Sequence, residues 1–378
     1  SAAWMQLGEV YTHLLPKSGH LDSLARIAFD EAHRLDPAAH NVLFHPIEIR
    51  IREGDIREAG MLARDFLKGD PDTLLAEQVQ IMYDCARGGT QAVNWADEAM
   101  RHPLAVLASS NSFKGGGRWL PCAMRGYEAV MKSDTSVAAA GRRWSGTVGL
   151  AGSYLATNRP NEARAVIDSS IARGWGGSSF FLTSGTLYPE MLDAARATAA
   201  SDEKKFGPNY AGATTSLRLW QLGVFEALHG RKEVANAVAK NLSGQANTTR
   251  SAGDIRLARS MAAFSTLARG DSGSAMRQLD AILGDPAPGE EIVWDIAAPR
   301  GMERLTLVRM LVRRGDYRKA IDIANVFDAA WPSVYLLYVP ASLELRAEAA
   351  AAIPDGALAS RFRSRLVALR GERAVAGK

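Results

Sequence analysis

The chain has 378 residues, with 45 Lys and Arg against 41 Asp and Glu for a formal net charge of +4, and 47% of its residues are hydrophobic. That is the composition of a folded chain with core enough for two or three domains, and it excludes general disorder and the low-complexity classes. Acidic and basic residues are interspersed, as in Arg50-Ile51-Arg52-Glu53 and Asp202-Glu203-Lys204-Lys205, so nucleic acid is not an expected partner, and no apolar run approaches the ~20 residues of a membrane span.

The opening Ser1-Ala2-Ala3-Trp4 has no initiator Met, no basic n-region and no apolar h-region; it is read as a processed or trimmed end, and the compartment stays open. Residues 4–35 form a weakly patterned helix pair. Five of the seven histidines fall within the first 45 residues: His13, His20, His33, His40 and His45. A metal centre needs three or four converging ligands. Their spacings of 7, 13, 7 and 5 match no compact ligand motif, and His33 could share a helix face with His40 only if a helix ran through Pro37. They are expected to be ordinary surface or core histidines, with no metal and no cofactor.

From Val42 onward a period emerges. Asp36-Pro37 and Asp70-Pro71 close successive helix-like runs 34 residues apart. Between them, 42–53 reads as one helix, Gly54-Asp55 as a break, and 56–68 as a second helix with Ile56, Ala59, Leu62, Ala63 and Phe66 at helical spacing. The break recurs with a small residue five positions on: Gly54 and Ala59, Asn158 and Ala163, Gly230 and Ala235, Gly270 and Ala275, Gly315 and Ala320. Glycine in the left-handed conformation closes the first helix, an Asp caps the second, and Ala lets the two approach. The clear pairs are 42–68, 142–173, 214–242, 254–284, 301–328 and 335–369, with a weaker one at 72–102. The stretches 109–122 and 174–213 are expected to be irregular, the second with one short helix near 189–200.

With its 34-residue step, helix–turn–helix units, small residue in the second helix and closing Asp-Pro at 36–37, 70–71 and 285–286, the chain resembles a degenerate tetratricopeptide-repeat α-solenoid. It is similar to the repeat arms of large bacterial serine/threonine kinases and signal regulators, without a kinase signature. The resemblance implies an all-α superhelix with an N-terminal lobe over 1–200, carrying irregular insertions at 109–122 and 174–188, a linker at 201–213, and a C-terminal lobe over 214–378.

The two cysteines, Cys85 and Cys122, exclude a disulfide framework or a four-thiolate metal site. They could pair in an oxidising compartment, but two ordinary buried thiols are expected. Gly115-Gly116-Gly117 after Lys114 lacks the strand and the Gly-Lys-Ser/Thr ending of a phosphate loop, and reads as a flexible connection. Ser201-Asp202-Glu203-Lys204 fits Ser-x-x-Lys but lacks companion motifs. Catalysis has no nominee. The glycine-flanked Trp175 with Phe180 and Phe181 is a candidate partner anchor, weighed against folding back to cap the lobe before it, with Trp294 and Trp331 behind it. The expected function is a non-catalytic protein-interaction scaffold, an accessory subunit that binds other protein subunits and could sit peripherally on a membrane (bioenergetic) complex. The alternative is a regulatory or sensor arm that takes a peptide or small ligand in its concave groove.

Overall fold

The computed structural model describes residues 1–14, 21–113, 117–133, 139–175, 177–213, 215–284, 300–329, 333–353 and 355–371. Among these there is no strand, and no helix is long and apolar enough to cross a membrane. The helices follow in chain order as α1 (Ala2–Glu9), α2 (Leu21–Leu35), α3 (Phe44–Glu53), α4 (Ile56–Lys68), α5 (Thr73–Gly88), α6 (Trp95–Arg101), α7 (Pro103–Phe113), α8 (Leu120–Ser133), α9 (Ala140–Ala156) and α10 (Pro160–Ala172). They continue as α11 (Ser178–Gly185), α12 (Leu192–Phe206), α13 (Ser216–Leu228), α14 (Lys232–Thr249), α15 (Ala252–Ala268), α16 (Ser272–Gly284), α17 (Gly301–Arg314), α18 (Tyr317–Ala324), α19 (Val339–Ala352) and α20 (Gly356–Arg370).

The hairpin junctions form as the local chemistry requires. Gly54, Gly230, Gly270 and Gly315 have φ of 84–91°, and Asn158 takes φ 59°, the left-handed region in which a β-carbon is penalised. Asp55 accepts a bond from the Glu58 amide at the start of α4, and Asp271 from the Ser274 amide at 2.9 Å. Five residues past each break, Ala59, Ala163, Ala235, Ala275 and Ala320 are buried, so paired helices meet where the side chain is smallest.

Two stretches expected to be irregular are helical. Residues 109–113 complete α7, because Ser109 and Ser110 donate to the carbonyls of Ala105 and Val106 at 2.8 and 2.7 Å. Hydroxyls that would otherwise argue for a loop are satisfied inside the helix. Residues 178–185 form α11, and α12 runs on to Phe206, well into the expected linker. That linker does not divide the core. Tyr210 within it is buried, and one apolar cluster extends from Ala151 to Phe362 across it. A second cluster gathers residues from Ala32 to Ala156 and also takes in Leu336.

The main contacts between helices join elements one or two places apart, as in α3 with α4 and α5, or α13 with α14 and α15. The segment Ser333–Leu337 departs from that order by packing on α9. Leu337 lies beside Gly152, and its carbonyl accepts a bond from the Tyr188 hydroxyl at 2.8 Å, 149 residues away in sequence. This late segment thus returns to the middle of the chain. Helix α13, packed between α11, α14 and α15, is buried through nine consecutive residues, Leu219 to Ala227, rather than along a stripe.

Candidate functional site

Of the five expected anchors, Trp294 and Trp331 lie outside the described residues. Trp175 is half-buried, with the guanidinium groups of Arg143 and Arg173 over its ring at 4.7 and 4.9 Å. Phe180 and Phe181 are core residues, 0% and 3% exposed. They were expected on a pliable loop; instead Gly177 at φ 134° starts α11, which turns both rings inward against the main apolar cluster. In the folded chain only Trp175 of this trio reaches the surface, while the phenylalanines belong to the cluster that runs on to Phe362.

The histidines behave differently from expectation. The end of α1 widens into a π turn over Val10–Leu14 that carries His13, while His45 sits in the first turn of α3. Gly8 lets α1 lie against the Phe29 ring of α2, where a β-carbon would stand 2.7 Å from ring atoms. The two imidazoles then meet with Nε2 atoms 3.2 Å apart, and Glu9 Oε2 stands 3.4 Å from each. Behind them His45 Nδ1 is bonded to Glu48 Oε2 at 2.8 Å, and Ser112 donates to Glu48 Oε1 at 2.5 Å. His33 and His40 flank a different carboxylate, Asp65, at 3.8 and 3.7 Å. His20 lies outside the described residues.

Electrostatics at His45 are strong. Burial disfavours its imidazolium, yet the bonds to Glu48 and Glu9 outweigh burial and push its pKa up to about 9. Burial likewise opposes ionisation of Glu9 and Glu48, but their histidine partners hold both down at about 2.

Cys85 on α5 and Cys122 on α8 are joined in a disulfide with Cα atoms 6.3 Å apart, correcting the expectation of two thiols. Nothing at short range signals the pairing. It depends on α5, within the weak pair expected at 72–102, meeting the start of α8, which begins inside the stretch 109–122 expected to be irregular. Trp95 and Met100 of α6 and Arg125, Glu128 and Lys132 of α8 line an open groove of about 500 Å³. Elsewhere, buried polar groups are tied in chains. Trp220 Nε1 donates to Ser260 at 2.8 Å, and Ser260 donates to Glu303 Oε1 at 2.5 Å, while burial raises the Glu303 pKa.

Compared with known proteins, the chain matches no family model and no curated relative.

Proposed function

We propose that the chain is a tetratricopeptide-like helical-repeat protein, an α-solenoid in its stacking, whose role is to hold another protein as an accessory or scaffold subunit rather than to catalyse a reaction. The face of α2 carries this reading. Ala25, Ala28, Phe29 and Ala32 are buried in a stripe, yet Leu24, Ile27 and Leu35 beside it are exposed by 41, 54 and 48%. An apolar sector wider than the buried stripe supports a second packing partner. Most of the other exposed large apolar side chains, among them Trp4, Met61, Leu67, Leu74, Met100 and Leu104, lie in the helices before Ser133. The disulfide supports an oxidising compartment.

The test is native purification followed by cross-linking mass spectrometry, with wild type beside a Leu24→Ser/Ile27→Ser variant. The expected result is a stoichiometric protein partner cross-linked to α2 and lost from the variant, with helical circular dichroism unchanged. A partner retained in full by the variant would remove α2 as the docking face, and no stoichiometric partner at all would remove the scaffold reading. The groove beside Trp95 and Met100 favours a second reading, a sensor arm for a peptide or small ligand. A ligand screen by thermal shift, repeated with Met100→Asp, distinguishes it.

A further inference from the structure

A tetrahedral ion with bonds of 2.0–2.1 Å sets its ligand atoms about 3.3 Å apart. The triangle formed by His13 Nε2, His45 Nε2 and Glu9 Oε2, with sides of 3.2, 3.4 and 3.4 Å, has that size. Its sides are longer than a charge-assisted hydrogen bond, which runs at about 2.7–2.9 Å. The neighbouring pair does form such a bond, His45 Nδ1 to Glu48 at 2.8 Å. We propose that Glu9, His13 and His45 bind one divalent transition-metal ion of the zinc class, with Glu48 as the positioning residue that orients His45.

Three further features fit this assignment. Two imidazoles and one carboxylate form a donor set of borderline softness, suited to zinc and its neighbours rather than to magnesium or calcium. The bond from His45 Nδ1 to a carboxylate that is itself held by Ser112 fixes which nitrogen faces the site, the usual support of a metal-bound imidazole. The site is also reachable: Glu9 and His13 keep 32% and 24% of their side-chain surface, against 12% for His45. Water can therefore reach the ion and complete its coordination. The cluster of His33, His40 and Asp65 has longer separations, at 3.8 and 3.7 Å, and serves as an internal control. Binding would pin the terminal turn to α3 across 32 residues of sequence, independently of whether α2 docks a partner.

The probe is Zn²⁺ added to tag-free protein stripped with a chelator, followed by calorimetry at pH 7.5, by zinc content after dialysis and by the thermal midpoint. One zinc per chain is expected, with a raised midpoint. His13→Ala and His45→Ala should each weaken binding by at least about 100-fold, Glu48→Gln by about 10–100-fold, and Asp65→Asn should change nothing. Should His45→Ala fail to fold, His13→Ala on the more exposed turn carries the test. No zinc uptake, uptake unaltered by His13→Ala, or equal binding of Mg²⁺ would each overturn the assignment; in the first case the cluster is a proton-bridged ion network only.

Discussion

The helices up to Ser133 and those from Ala140 onward solve the same problem with different means. In the later region one apolar cluster runs from Ala151 to Phe362, and most residues of helices such as α13 and α17 are buried. In the earlier region the buried apolar residues form a smaller cluster and a separate satellite of Ala25, Phe29 and Ile49. There the Cys85–Cys122 disulfide and the His13–His45–Glu9 contacts supply ties of other chemistry. Where the chain returns on itself, extensive apolar burial encloses buried polar ties such as Arg346–Asp328 and Trp220–Ser260–Glu303. Where helices stack without such a return, long-range cross-links hold the pieces and apolar side chains stay exposed.

The largest effects are expected in the later region. Arg346 is fully buried and bonded to both oxygens of Asp328 at 2.7 and 2.8 Å. Asp328→Asn leaves that guanidinium without its counter-charge and should cost about 3–5 kcal/mol in urea unfolding at neutral pH. Burial opposes ionisation of Asp328, but its bonds to Arg346 and Arg365 hold the pKa down at about 2, against an ordinary 3.8. Its contribution is therefore present above pH 3.8 and lost as pH falls through 2, and the acid limb of the stability curve should flatten in the variant. Phe180→Ala, at a site with no exposed surface, should cost a comparable ~3–5 kcal/mol. A negligible loss would return Phe180 to the candidate docking residues.

In the earlier region, the disulfide closes a span of 37 residues, and replacing both cysteines by serine should cost roughly 3–4 kcal/mol. The loss should be confined to the helices before Ser133, as hydrogen exchange would map; uniform loss would mean that the two regions unfold as one. The smallest effect concerns a feature common to both. Gly230→Ala places a β-carbon in open space, but at φ 84°, so the cost of about 1–2 kcal/mol would be conformational alone. A stability equal to wild type would show that the hairpin tolerates another turn at this junction.

Residues within five positions of one another were legible without coordinates. The breaks at Gly54, Asn158, Gly230, Gly270 and Gly315, and the buried alanines that follow them, rest on helix closure and close approach, both local matters. The serines of α7 misled because their hydroxyls bond one turn back, a choice that composition does not reveal. The histidine spacings argued against a common site, but separation along the chain says little once the π turn after α1 brings His13 to His45 of α3.

Backbone sterics and capping therefore wrote the helix-pair texture into the order of residues, since each junction involves only its immediate neighbours. Which distant groups meet, His13 with His45, Cys85 with Cys122 and Leu337 with Gly152, depended on how the helices pack. Side chains 32 to 185 residues apart come together only when every intervening interface is set.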